Sequence, residues 1–170
     1  MKHKMTKEAA LNIAIVRGIG FSIMVALYMI IGFPLRSTMW CAYVGFLLCV
    51  AVGGIGTDRL PNAILCTTVG FGWAAAYMEL PKLLNMFLPG PVEVYIVVAE
   101  LIVTFCILFG HLYLLQNTRF NLVPFIFGAV ACTFGKGDLS FVPLCWVSIV
   151  IGILTAFLTG VVIEKTKPKQ

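Results

Sequence analysis

Charged residues divide the chain into apolar segments. Eighteen uncharged residues lie between Arg17 and Arg36, 21 between Arg36 and Asp58, and 19 between Arg59 and Glu79. The first of these segments reaches back to about residue 9. Each is close to the roughly 20 residues that a helix needs to cross the hydrocarbon core of a bilayer. The pattern therefore predicts three membrane-spanning helices in the first half of the chain.

The second half repeats this pattern after a stretch with three prolines, Pro81 to Pro91, which predicts an external loop. A fourth segment runs from about Val92 to Leu115, a fifth of 16 uncharged residues ends before Lys136, and a sixth of 25 ends before Glu164. The segments lack the alternating polarity of membrane barrels. Since open sheets leave backbone groups unpaired in lipid, we expect an all-α fold of six transmembrane helices.

The composition supports a membrane location. Hydrophobic residues make up 61% of the 170 residues and charged residues 11%, against about half and about a quarter in an ordinary soluble domain. A chain of this length has too little interior to hide so much apolar surface. These values exclude a soluble enzyme, a secreted disulfide scaffold and a disordered chain, and they predict a single transmembrane domain over residues 1–170.

The distribution of cations predicts the orientation. The net charge is +5, but half of the 12 lysines and arginines are terminal, so we expect contact with lipid headgroups and no nucleic-acid binding. With six spans both termini share one side, which collects eight cations against three on the other. Positive charge favours the cytoplasm, so both termini are predicted to be cytoplasmic. The terminal cations are Lys2, Lys4, Lys7, Lys165, Lys167 and Lys169.

The sequence contains no recognisable catalytic or metal centre. All six cysteines lie in apolar segments without metal-binding spacing, which is typical of small buried residues. Signatures of phosphate-binding loops, zinc proteases, serine hydrolases and dinucleotide folds are missing. We therefore expect no enzymatic activity, no metal and no cofactor.

The two halves of the chain are weakly similar. At a shift of 80 residues Asp58 aligns with Asp138 and Gly72 with Gly152. The similarity predicts two repeats, at about residues 9–80 and 92–163. Because each repeat has three spans, the second is predicted to be inverted relative to the first.

In each repeat the second segment is short. The two short pieces, at about residues 41–53 and 122–134, each cover only about 20 Å of helix. Short, glycine- or proline-interrupted segments at matching positions of inverted repeats are typical of transport proteins. The alternative is two tilted helices that are simply packed by their neighbours.

The stretch from Leu122 to Asp138, LVPFIFGAVACTFGKGD, is the most distinctive in the chain. Its Val-Pro, Gly-Ala-x-Ala, Thr-Phe and Gly-x-Gly-Asp elements resemble the domain-of-unknown-function 1097 family of small bacterial inner-membrane proteins. The resemblance implies a bacterial inner-membrane location and no particular activity. Lys136 stands between the two glycines, where a neutral residue is expected.

Nine residues are candidates for lining a pore or binding a solute: Glu100, Thr104, Thr133, Phe134, Gly135, Gly137, Asp138, Asp58 and His111. Asp58 and Asp138 each follow a glycine turn and precede a long helix, so they either cap that helix or line a pore mouth. Thr133, Phe134, Gly135 and Gly137 are predicted to form the turn itself, because glycine permits positive φ and close approach of the backbone.

Glu100 and His111 are ionisable residues inside the fourth segment. They lie 11 residues apart, on one helix face with Thr104. Ionisable groups in a membrane are functional candidates, but Glu100 has the alternative of a structural hydrogen bond and His111 that of a neutral interfacial imidazole. We expect Glu100 and the short-helix ends to line one wet cavity, with Asp58 and Asp138 at its mouths.

These patterns favour a channel or small transporter for a small polar or weak-acid solute. The alternative is a non-transporting scaffold or a subunit of a larger membrane complex. The expected partners are membrane lipid, the solute and further copies of the chain, because short spans are better buried against a neighbour than exposed to lipid.

The predicted orientation places Lys82 outside the cell. A cysteine in place of Lys82, in a chain without the six native cysteines, should react with an impermeant thiol reagent added to intact cells. Labelling only after lysis would show that the orientation is the reverse of the predicted one.

Overall fold

The computed structural model describes residues 7–166, over which all regular structure is helical. The six α-helices are α1 (Lys7–Ile31), α2 (Met39–Ala51), α3 (Leu60–Phe87), α4 (Val92–Leu108), α5 (Val123–Lys136) and α6 (Val142–Thr166). Short 3₁₀ turns lead into α2 and α6, and a π-helical turn extends α4. The prediction of an all-α fold is thus confirmed for this range. The terminal cations Lys2, Lys4, Lys167 and Lys169 lie outside the described residues.

Four of the helices are long and apolar enough to cross a membrane. They cover Lys7–Ile31, Leu60–Phe87, Val92–Leu114 and Leu139–Thr166. The other two are α2, with 13 residues, and α5, with 14. At 1.5 Å per residue each is about 20 Å long, against roughly 30 Å of hydrocarbon. The short second and fifth helices agree with the sequence pattern, and the apolar helices indicate a membrane-embedded protein.

The loop predicted from Pro81 to Pro91 is wrong in its first part, because α3 continues to Phe87. Pro81 is buried inside this helix, where proline removes only one backbone donor and neighbouring helices can compensate for it. Glu79 and Lys82 form an ion pair at 2.7 Å across this position, as residues three apart on a helix do. The connection to α4 is therefore limited to residues 88–91.

The turn predicted at Thr133, Phe134, Gly135 and Gly137 is also shorter than expected. The first three residues belong to α5, and only Gly137 lies in the turn. Gly137 adopts a left-handed backbone with φ of 66°, and its amide donates to the carbonyls of Thr133 and Phe134 at 2.9 and 3.1 Å. A glycine in this conformation ends a helix by pairing its last carbonyls, so α5 continues to the residue before it.

The chain folds into two compact units. The first unit is formed by the described parts of Met1–Leu60 and Val147–Gln170 and contains α1, α2 and most of α6; the second, Pro61–Trp146, contains α3, α4 and α5. The predicted repeats, 9–80 and 92–163, are consecutive, whereas each compact unit combines two helices of one repeat with the third helix of the other.

In the first unit, α2 and α6 approach closely through glycines. A Cβ atom at Gly45 of α2 would overlap the backbone carbonyl of Ile149, and one at Gly152 of α6 would overlap the carbonyl of Ala42. Both glycines are buried. Small residues let helix backbones pack tightly in a membrane, where lipid is as apolar as the side chains.

In the second unit, α3 and α5 use the same kind of contact. A Cβ atom at Gly70 of α3 would overlap the backbone of Ile126 and the side chain of Ala129 on α5. The sequence alignment paired Gly72 with Gly152, but Gly72 has open space around its Cβ position. In packing, Gly70 is therefore the counterpart of Gly152.

The two close contacts predict that Gly→Ala changes at two positions of the same helix have very different effects on the free energy of unfolding. Gly152→Ala and Gly70→Ala should each reduce the free energy of unfolding by about 1–3 kcal/mol, because the added methyl group overpacks a backbone contact. Gly160→Ala in α6 and Gly72→Ala in α3 add the same methyl group in open space and should leave stability unchanged or raise it by up to about 1 kcal/mol. Thermal unfolding of the purified variants in mild detergent measures both effects, and equal effects at all four positions would contradict the packing.

Candidate functional site

Eight of the nine candidate residues lie in the second unit, and Asp58 lies in the first. The eight are carried by α4 and its π-helical extension, by α5, and by the turn that follows α5.

Tyr77 connects two of the candidates. Its hydroxyl forms a hydrogen bond with Oγ1 of Thr104, and its ring packs edge-to-face against Phe134 with 5.4 Å between the centroids. Tyr77 is buried, whereas Phe134 is 46% exposed. The structure thus brings Thr104 of α4 and Phe134 of α5 together through a tyrosine of α3.

Sequence analysis did not single out Tyr77 and so missed this role. The long α3 helix continues beyond Tyr77, so this residue lies inside the span rather than at its end. A buried tyrosine hydroxyl needs a hydrogen-bond partner. That requirement was the available signal, but it does not identify the partner.

His111 is 3% exposed, and both of its ring nitrogens are engaged. Trp73 donates from Nε1 to Nε2 of His111 at 3.1 Å, and Nδ1 of His111 lies 2.7 Å from the carbonyl oxygen of Phe120. An indole nitrogen only donates and a carbonyl only accepts, so the imidazole is neutral, with its proton on Nδ1. This arrangement joins α3, the end of α4 and the segment before α5, which gives His111 a structural role.

The helix around His111 departs from α geometry. The π-helical turn covers Phe109–Leu114, and the amide of Leu115 donates to the carbonyl of Gly110 at 2.8 Å. One extra residue in a turn rotates the side chains that follow. The imidazole therefore lies at a change of helical register.

Glu100 is exposed on the second unit. It lies on α4 one turn before Thr104, beside a buried row formed by Tyr95, Ala99 and Val103. Within residues 7–166 the salt bridge found is Glu79–Lys82, and Glu100 takes part in none. An ionisable side chain in the apolar part of a span is costly unless water or protein covers it. Glu100 is therefore the candidate with the strongest need for a partner.

Thr133 is 1% exposed, and its hydroxyl donates to the carbonyl of Ala129 in its own helix at 3.1 Å. Bonding of this kind is common for threonine in membrane helices. Gly135 and Gly137, in contrast, are exposed at the end of α5. The structure does not bring the Thr133 hydroxyl to a polar surface.

Asp138 caps the 3₁₀ turn Leu139–Phe141 that leads into α6. Its carboxylate accepts from the amide of Ser140 at 2.8 Å and from the Ser140 hydroxyl at 2.7 Å. The hydrogen bond from the Ser140 hydroxyl makes the larger contribution and that from the Ser140 amide the smaller one, and together they hold the pKa of Asp138 below its usual value. The capping role that the sequence left open is present at this aspartate.

Asp58 lies in the turn before α3 and is exposed. One of its carboxylate oxygens occupies the space beside Gly56, and the amides of Arg59 and Leu60 donate to the carbonyl of Gly56 at 3.2 and 3.0 Å. Asp58 thus belongs to a tight turn of the first unit.

A surface groove of about 520 Å³ lies between α3 and α4 in the second unit. Its walls include Trp73, Met86, Ile102 and Cys106, with the Glu79–Lys82 pair at its polar part. None of the nine candidates lines it. Over residues 7–166, no group of three or more histidine, cysteine or acidic side chains is arranged to hold a metal ion.

The family profile described as protein of unknown function (DUF1097) matches residues 14–167. The chain belongs to this family. The resemblance of the Leu122–Asp138 stretch is therefore confirmed, and it extends over both compact units. No curated protein and no solved structure matches this DUF1097 member. The family description states no activity.

The His111 contacts predict a coupled effect on stability. His111→Phe leaves the half-buried Trp73 donor and the Phe120 carbonyl without a partner and should lower the free energy of unfolding by about 1–3 kcal/mol. Trp73→Phe removes the same hydrogen bond and should lower the free energy of unfolding by less than His111→Phe does. Because the two residues share this bond, the double variant should lose less stability than the sum of the two single losses. Tyr113→Phe, an exposed change in the same turn, serves as the control. Strictly additive effects in thermal unfolding would contradict the bond.

Proposed function

We propose that the protein is a channel or small transporter, not an enzyme, for a small polar or weak-acid solute. Its proposed location is the bacterial inner membrane, with both termini in the cytoplasm. The observation that supports transport is the pair of short helices, α2 and α5. Each is too short to cross the hydrocarbon and is held against a long helix through a glycine contact within its own unit.

Short helices matter for transport because of their ends. A helix that ends within the hydrocarbon leaves backbone amides or carbonyls to be satisfied by protein, water or solute. Two such helices at matching positions of inverted repeats form the usual setting of a transport site. The inverted-repeat arrangement is part of this proposal, and the similar glycine contacts of the two units support it.

Glu100 is the proposed polar contact of the pathway. It is exposed on α4, and the Thr104–Tyr77 hydrogen bond lies one helical turn further along the same helix. A carboxylate in this position requires water, solute or a second protein surface. A further copy of the chain could supply the partner that the Glu100 carboxylate requires, so a homo-oligomer is part of the proposal. Native mass measurement in mild detergent tests this, and a monodisperse monomer would contradict it.

The role of Glu100 is tested by replacing it with glutamine. Glu100→Gln keeps the size of the side chain and removes its charge. We expect uptake of acetate or acetamide into proteoliposomes to fall several-fold while the protein remains folded.

The matched control is Glu93→Gln, the same change in the first turn of the same helix, which should leave uptake unchanged. Equal uptake by the wild type and Glu100→Gln would show that the charge of Glu100 plays no part in the transport pathway. Uptake no faster than in protein-free liposomes, over a panel of small polar solutes and weak acids, would contradict transport and favour a scaffold or subunit.

A further inference from the structure

The groove between α3 and α4 in the second unit has no part in the proposed pathway, since none of the nine candidate residues lines it. Its volume is about 520 Å³. Its α3 wall is a single helix face, because the wall residues follow one another at intervals of three or four positions. These residues are Trp73, Ala76, Leu80, Leu83 and Met86. The α4 side of the groove includes Ile102, so the long walls are apolar.

The length of the groove matches one leaflet of a bilayer. At 1.5 Å per residue, α3 advances about 20 Å from Trp73 to Met86. The hydrocarbon core of a bilayer is roughly 30 Å thick, so one leaflet accounts for about 15 Å. Because an acyl chain extends through one leaflet, a single chain lying along α3 follows the groove over most of its length.

One part of the groove is charged. Glu79 and Lys82 line it and form an ion pair with 2.7 Å between Oε1 and Nζ. Lys82 lies about 8 Å before the end of α3. With 28 residues, α3 is about 42 Å long and exceeds the hydrocarbon thickness by about 12 Å. The pair therefore lies close to the boundary between hydrocarbon and headgroups.

This ion pair has hydrogen-bonding capacity left over. The side chains of Lys82 and Glu79 are 62% and 55% exposed, and within residues 7–166 no other hydrogen bond or ion pair of either group is found. A lysine ammonium has three donors and a carboxylate two accepting oxygens. At the edge of the hydrocarbon such groups are stabilised by polar partners. Because the pair carries one charge of each sign, its complementary partner also carries one of each.

A phospholipid headgroup with a primary ammonium has these two charges. Its phosphate oxygens accept hydrogen bonds from the Lys82 ammonium, and its own ammonium donates to the Glu79 carboxylate. A trimethylammonium headgroup keeps the positive charge but has no N–H group to donate. An anionic headgroup without an ammonium brings negative charge beside Glu79. The pair therefore distinguishes three headgroups that carry the same acyl chains.

We propose that the groove between α3 and α4 binds one phospholipid whose headgroup carries a phosphate and a primary ammonium. An acyl chain lies along the apolar wall of α3, and the headgroup contacts the Glu79–Lys82 pair. The site is independent of the proposed transport, because none of its residues belongs to the Glu100 pathway.

The site is tested by lipid binding to the purified full-length protein in mild detergent. Phosphatidylethanolamine, phosphatidylcholine and phosphatidylglycerol with identical acyl chains are titrated, and native mass spectrometry gives the dissociation constant of the first bound lipid. Phosphatidylethanolamine should bind about fivefold more tightly than phosphatidylcholine, the factor expected for one hydrogen bond, and more tightly than phosphatidylglycerol. Equal affinities for the three lipids would identify unselective surrounding lipid and overturn the proposal.

The headgroup contact is tested by Glu79→Gln, which keeps the size of the side chain and removes its charge. Phosphatidylglycerol should then bind at least as tightly as phosphatidylethanolamine, because the repulsion is lost while Lys82 still binds the phosphate. Glu93→Gln is the matched control, since it is the same change on α4 outside the groove, and should keep the order of the wild type. An order that Glu79→Gln leaves unchanged would place the bound lipid elsewhere and contradict the site.

The acyl-chain contact is tested by Ile102→Trp, which adds bulk to the groove wall. Ile102 is 47% exposed, so the larger side chain extends into the groove and leaves the core intact. All three lipids should bind several-fold more weakly. Leu101→Trp adds the same kind of bulk to the neighbouring residue, which is 67% exposed and lies outside the groove, and should leave binding unchanged. Equal lipid affinities of these two variants would contradict the site.

Discussion

Close contact between a glycine and the backbone of a neighbouring helix is the interaction on which both units depend. In lipid, side chains gain little by leaving the surrounding hydrocarbon, so helices associate mainly through close van der Waals contact and polar bonds. Gly152 and Gly45 provide this contact between α6 and α2, and Gly70 provides it between α3 and α5. Because α2 and α5 have only 13 and 14 residues, the long partner helices determine where the ends of the short helices lie.

The same scarcity of water governs the polar side chains. Thr67 and Thr133 donate to carbonyls of their own helices, which satisfies them without another element. Tyr77 and His111 instead bond across elements and thereby join α3 to α4 and to the segment before α5. Glu100 follows neither pattern, because it is exposed on α4 and takes part in no salt bridge found within residues 7–166. An ionisable side chain in apolar surroundings persists only where water, a solute or another protein surface partners it.

The two units share one packing feature, a short helix held against a long helix through a glycine contact. The short helix α2 packs on α6 and the short helix α5 packs on α3, and a polar aromatic residue lies near where each short helix begins, Tyr28 in the first unit and His111 in the second. The imidazole of His111 is bonded at both of its nitrogens, whereas the single oxygen of Tyr28 lies beside the Ser148 hydroxyl.

The sequence by itself determined the class of protein, the number of helices and which two are short, because hydrocarbon thickness sets a length that charged residues interrupt visibly. It also identified the family, through a stretch whose glycines and proline are set by local geometry. It misjudged Pro81 and the end of α5, since a buried proline and a helical Thr133 depend on neighbours that the sequence does not show. Only the tertiary structure decided that Gly70 rather than Gly72 makes the close contact, that Tyr77 joins Thr104 to Phe134, and that both nitrogens of His111 are bonded. These are facts about which side chains meet between helices, and a one-dimensional pattern carries helix length and polarity but not the rotation of one helix against another.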